Sequence, residues 1–299
     1  MSRKGLALFI ALSIIWGTPY LFIRVAVQYV EPSVLVALRV GIAALLLLPI
    51  AAWRGDLRGL RPYLPWIAVF AVVEITGPFL LLGYTETVLT SSTTALLIAA
   101  VPIVAAIIAR LLGLDRRLGG IRIVGLAVGF SGVAVLVGLD VPRDQAWAVV
   151  AAAFTVLGYA LGPVVISTRL SEAPGLGVIV LALAGNALVY APIAWVQRPT
   201  SPVPASAWWS IIVLGVLCTA VAFLIFFALV REVGPSRMTV ITFLNPAVAV
   251  LLGVLVLSEP VTLGLVLGFP LVLLGSYLAT RPDGAPRRAR SHVEDVPHA

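Results

Sequence analysis

An all-α membrane protein of ten transmembrane helices, arranged as two inverted five-helix repeats, is the fold this sequence predicts. Three observations carry that expectation. Of 299 residues, 61% are hydrophobic and 11% charged, against about 45–50% and about 25% in soluble domains. The apolar residues fall in runs of about 20, the length a helix needs to cross a hydrocarbon core of about 30 Å. The second half of the chain also repeats the punctuation of the first.

Runs broken by charge, proline and glycine place spans at 5–27, 33–53, 64–83, 90–111 and 119–139, then at 146–167, 174–196, 208–230, 236–257 and 261–280. They are too long and too evenly apolar for barrel strands. Arg3 and Lys4 before an apolar stretch resemble a signal peptide, but the stretch continues to about Val27, so it is read as a retained first span. Beyond Arg281 the chain turns rich in Pro, Arg and Asp, the composition of a disordered tail. The organisation expected is residues 1–140 as the first repeat, 141–281 as the second and 282–299 as a cytoplasmic tail.

Net charge is +7, yet the basic residues sit at the ends of apolar runs, which argues for encoded topology and against nucleic acid. One set of loops holds Arg3, Lys4, Arg54, Arg58, Arg61, Arg110, Arg116, Arg117, Arg122, Arg169, Arg231, Arg237, Arg281, Arg287, Arg288 and Arg290, while the other holds Arg143 and Arg198. The positive-inside rule then puts both termini in the cytoplasm. The single cysteine, Cys218, permits no disulfide within the chain.

A shift of 144 residues superposes Pro102 on Pro246 and Asp115 on Glu259. At slightly smaller shifts Trp16-Gly17 answers Leu157-Gly158, and Pro32 answers Pro174. Gly125 and Gly132 in span five keep the same spacing as Gly268 and Gly275 in span ten. Five spans is an odd number, so the second copy enters from the opposite side. Two such halves can rock about a site near the midplane, which is the architecture of a secondary transporter.

Taken in order, these residues resemble the EamA-type members of the drug/metabolite transporter superfamily. The resemblance rests on Trp16-Gly17, Pro32 followed by Arg39, the Gly-Pro-Ser-Arg stretch at 234–237, Pro102, Pro246, Asp115 and Glu259. It implies a central cavity shared by the repeats and transport, often export, of amino acids, metabolites or toxic compounds. Thr90-Ser-Ser-Thr-Thr in the first copy and Glu74 depart from that pattern.

Glu74 is read as the one acidic residue deep in a span, and burying its charge makes it a functional candidate. It lies about 14 Å from the inner boundary, and Arg39 about 9 Å from the outer one, at about 1.5 Å per residue. Either Glu74 takes up a proton or a substrate amine with Arg39 as its alternating partner, or the two form a permanent ion pair. Pro102 and Pro246 are expected to break their helices and free the carbonyls of Ile98 and Thr242. Asn245 and Thr242 beside one proline, with Thr93 and Thr94 near the other, could line a polar cavity. Trp16, Tyr159 and Tyr84 could form an aromatic wall, although Tyr84 also suits an interface anchor. Arg24 is expected to snorkel to the headgroups. The Gly125/Gly129 and Gly264/Gly268 pairs suit packing within the chain, with a homodimer as the alternative.

No metal, cofactor or P-loop motif is present, which leaves an ion or solute gradient as the energy source. The partners expected are a small-molecule solute and membrane lipids. A lipid-modifying enzyme and a channel subunit are the alternatives. The enzyme is disfavoured because neither histidine, His292 nor His298, falls in a span.

Overall fold

The computed structural model describes residues 2–114, 119–233 and 241–280, apart from the side chains of Val233, Thr242 and Phe243. Asp115, the Gly234–Arg237 stretch, the Thr242 side chain and the tail therefore lie outside the described residues. All regular structure among the described residues is helical. Eight helices are long and apolar enough to cross a membrane: Arg3–Ala26, Pro32–Arg54, Arg61–Val88, Ser91–Leu111, Gly120–Asp140, Arg143–Arg169, Gly175–Val196 and Ala205–Glu232. Ile241–Val256 and Leu263–Ala279 complete the ten. They are numbered here as spans one to ten. The ends carrying Arg3, Arg54, Arg169 and Ala279 form the near face; the opposite ends form the far face.

Proline and glycine shape the spans locally. Span one bends at Thr18, where Pro19 supplies no donor to the ladder. Span two starts at Pro32 and ends on Gly55, whose φ of 76° closes the helix in the left-handed region that glycine tolerates. Span three runs to Val88, beyond the expected end at 83, because Tyr84-Thr-Glu-Thr continues the helix. Span four divides into Ser91–Ile98 and Val101–Leu111 at Pro102. Pro246, by contrast, sits inside a continuous helix. The expectation that both prolines break their spans is therefore corrected for Pro246, whose missing donor leaves the helix Ile241–Val256 unbroken.

Packing follows a pseudo-two-fold. Span three lies on span six as span eight lies on span one, and span four lies on six as nine lies on one. The self-related pairs two–seven, four–nine and five–ten close the bundle. Spans five and ten make the closest contact, because Gly125, Gly129 and Gly132 face Ala279, Gly275 and Val272 with no side chain between the backbones. A Cβ at Gly275 would overlap the Gly129 backbone and lie 2.7 Å from Gly125 O. These glycines are thus used inside the chain. Asp140, at the end of span five, accepts from Thr262 Oγ1 and from Gly264 N (3.2 Å), capping span ten.

The principal core cluster joins spans two, three and seven through Val40, Leu47, Phe70, Ile75, Val180 and Leu183. The outward surface is apolar as well: Leu45 is 75% and Leu188 77% exposed. A surface of this kind suits hydrocarbon rather than water.

Candidate functional site

The two halves carry the same irregularity at mid-span. Span three contains a π-helical turn at Ala71–Thr76, and span eight contains one at Val216–Val221. Each turn shifts the hydrogen-bond ladder by one residue and frees carbonyls, a feature that recurs at functional sites. In both, a threonine hydroxyl bonds a carbonyl of the preceding turn. Thr76 Oγ1 is 3.1 Å from Ala71 O and 2.6 Å from Asn186 Oδ1, and Thr219 Oγ1 donates to Leu214 O at 2.8 Å. The Tyr190 hydroxyl adds a bond to Thr76 O at 2.7 Å.

Glu74 is part of the first π turn. The turn presses on span six at Gly158 and Gly162, a GxxxG pair. A Cβ on Gly158 would overlap Val73 O and lie 2.6 Å from Pro78 Cγ; one on Gly162 would overlap the Glu74 carboxylate. The missing side chain on Gly162 is therefore the space that holds the carboxylate. Glu74 Oε2 is buried there with no hydrogen-bond partner.

Arg39 is 7% exposed and engaged elsewhere. Its Nε donates to Thr219 Oγ1 at 3.0 Å, and its guanidinium carbon lies 4.0 Å from the centre of the Phe79 ring. Those two contacts tie the second π turn to spans two and three. No bond joins Arg39 to Glu74, so the permanent ion pair considered above is not formed; the π turn carries the carboxylate toward span six instead.

Aromatic side chains cover the same level. Trp16 packs against Phe223 (6.4 Å between centroids) and Phe226 (5.5 Å). Tyr20 and Tyr159 lie deep in the bundle yet remain partly accessible, within electrostatic reach of each other and of Arg39. Tyr84 is also half-buried. Gly17 lets span one meet span nine, since a Cβ there would lie 2.9 Å from Asn245 O. With its amide oriented to suit both neighbours, Asn245 donates to Ser13 O (3.1 Å) and Ile241 O (3.0 Å). Asn245 therefore fastens spans one and nine together.

Around the break in span four the polar groups divide. Ser276 Oγ of span ten donates to Ala99 O at 2.9 Å, satisfying a carbonyl freed next to Pro102. Thr90 Oγ1 caps the helix by accepting from Thr93 N (3.1 Å), and it pairs with Thr93 Oγ1. Thr94 Oγ1 and Ser91 Oγ are buried without partners.

Two acidic residues matter beyond what the sequence suggested. Glu259, positioned by a left-handed Ser258 (φ 54°), accepts from Ser91 N (2.7 Å), Ser92 N (3.0 Å) and Ser92 Oγ. It thus clasps the N-terminus of span four from the second half. Glu86, in the last turns of span three, is 0% exposed. Glu74 is accordingly not the sole buried acidic residue of a span, although Glu86 lies two residues from the end of span three. Arg24 does not snorkel; its Nη1 turns inward and donates to Glu86 O. Glu86 was missed because span three was ended at Gly83.

Inverted five-helix halves meeting at a polar and aromatic level, inside an apolar shell, have the architecture of a membrane transporter. Residues 3–138 and again 146–281 match the EamA-like transporter family. The chain belongs to that family and is a membrane transporter. It is 29% identical over 287 residues to the "Uncharacterized inner membrane transporter YedA" of Escherichia coli, covering 92% of this chain and 93% of that one. It is 30% identical over 285 residues to the "Probable terminal-alkyne amino-acid exporter" of Streptantibioticus cattleyicolor, covering 92% and 93%. The "Uncharacterized transporter YvbV" of Bacillus subtilis is 25% identical, covering 95% and 94%. A solved crystal structure shares the fold with a TM-score of 0.67 and 20% identity, covering 94% of this chain and 98% of that one.

Proposed function

We propose that this transporter exports small organic solutes, and amino acids with apolar side chains before other classes, by alternating access driven by an ion or solute gradient. The observation that carries this reading is Glu74: a carboxylate held in a π turn against Gly162, with a buried oxygen and no partner. An intramembrane anion without a partner is costly, and a substrate ammonium would relieve that cost. Tyr159 of span six supplies aromatic surface near it. The relative named as an amino-acid exporter supports the same solute class. The expected setting is the plasma membrane with both termini, and hence the near face, in the cytoplasm, in keeping with the distribution of basic residues.

Purified protein in liposomes loaded with unlabelled leucine should take up tritiated leucine, norvaline or phenylalanine by counterflow, saturably and in competition with one another. Glu74→Gln should abolish that exchange. Ohmic conductance without counterflow would indicate a channel and refute the reading.

A further inference from the structure

Glu86 is the buried acid that solute binding at Glu74 leaves unused. Neither of its carboxyl oxygens has a well-formed hydrogen bond; the backbone N–H of Arg24 is the donor near them. The cations within reach are committed to other groups. Arg24, from span one, donates to the backbone carbonyl of Glu86 and not to its carboxylate. Arg39, from span two, is held by Thr219 and Phe79. The remaining groups facing Glu86 are Tyr20 of span one, Tyr159 of span six and the carboxylate of Glu259 from the turn after span nine. Glu259 takes three donors from span four, so its negative charge is well supported where it is. A carboxylate charge at Glu86, both of whose oxygens are buried where Glu74 buries one, would be costlier than the charge on either Glu74 or Glu259.

Solvent lies close. The far face carries a depression lined by Val27, Glu31, Pro32, Thr87, Gln197 and Thr200, and Thr87 is the next residue in the chain after Glu86. On the other side of Glu86 in the chain, the Glu259 clasp on Ser91 and Ser92 ties span four to the second half.

We propose that Glu86 is the proton site of this carrier: a neutral acid in the closed arrangement, exchanging its proton with water on the far face when the Glu259 clasp parts. On release the Glu86 O–H bond breaks, the proton passes to water, and the remaining carboxylate takes the Arg24 guanidinium, which leaves the backbone carbonyl. This deepens the solute-carrier reading by naming the coupling ion, and it rests on that reading.

Infrared spectra of the purified full chain in detergent, with no solute added, test the proton site separately from solute transport. At neutral pH the wild type should show a protonated-carboxyl carbonyl band that is absent in Glu86→Gln, retained in Glu74→Gln, and lost on alkalinisation. If Glu86→Gln is recovered poorly, Glu86→Asp keeps the acid and should shift the band. In liposomes, leucine counterflow by wild type should respond to an imposed pH gradient and that by Glu86→Gln should not. The proposal is overturned if no band is lost in Glu86→Gln, if the band survives alkaline pH, or if sodium at fixed pH removes it. A pH-gradient response retained in Glu86→Gln would overturn it too. Failure of leucine counterflow with the band behaving as expected would sink the solute reading and leave the proton site standing.

Discussion

Gly158 and Gly162 lie one turn apart on span six, face the same π turn, and should respond in opposite ways to alanine. In a helix interior the change from glycine gains about 0.8–1.0 kcal/mol of propensity. At Gly158 the new methyl meets Val73 O and Pro78 Cγ, a backbone oxygen and a ring that cannot rotate away. Overpacking of that kind costs about 1–3 kcal/mol. The net expectation for Gly158→Ala is a loss of about 0–2 kcal/mol, so a lower melting temperature. At Gly162 the methyl meets the Glu74 carboxylate, the free end of a flexible side chain. Turning that group aside costs little, so Gly162→Ala should melt at or slightly above the wild-type temperature. It should nevertheless lose leucine counterflow, on the order of tenfold, the effect of about 1.4 kcal/mol at the site. Thermal unfolding in detergent and counterflow in liposomes read the two effects separately. The reasoning is refuted if Gly162→Ala is the less stable variant, or if it transports as wild type with its stability intact.

Three further substitutions probe the scaffold around the site. Ser276→Ala leaves Ala99 O buried without its donor, and should cost about 1–3 kcal/mol in thermal unfolding. Thr219→Val strips the acceptor from buried Arg39 and the donor from Leu214 O; a loss of about 1.5–3 kcal/mol is expected for a bond to a charged group, and a Thr219→Ser variant should recover most of it. Glu259→Ala removes the acceptor of three bonds from Ser91 and Ser92. It should lower the melting temperature and raise maleimide labelling of a cysteine introduced at Thr90, with Glu259→Gln falling between it and wild type.

The hydropathy runs and the matched Pro, Gly and acidic positions made the ten spans and their repetition legible, because length and periodic punctuation are local properties of a chain. The site was legible in part. Glu74 stands out as a charge in an apolar run, and the aromatic Trp16 and Tyr159 were named with it. The π turns were not foreseen, since an inserted residue leaves the composition of a helix unchanged; a threonine in each turn, Thr76 and Thr219, was the available signal. Gly158-x-x-x-Gly162 was present in the sequence, but its partner is a turn that had to be seen first. Glu86 was lost to a boundary, because Tyr84-Thr-Glu-Thr has the composition of a loop while burial against spans one and six keeps it helical. The cap that Glu259 provides joins residues 168 apart in the chain, a contact that no local pattern encodes. The permanent Arg39–Glu74 ion pair failed for the same reason in reverse: spacing along the chain does not say which neighbour each side chain turns toward, and Arg39 turns to Thr219 and Phe79.

Distances between spin labels on both faces of the same molecule bear most directly on the inverted-repeat carrier. With Cys218 replaced by serine, one pair at Thr87 and Arg198 spans the two halves on the far face, and another at Arg58 and Glu172 spans them on the near face; all four positions are exposed. In liposomes, adding leucine should lengthen one distance while shortening the other. Distances that lengthen together, or that both stay fixed while leucine is being exchanged, would contradict a pair of halves rocking about a shared pocket.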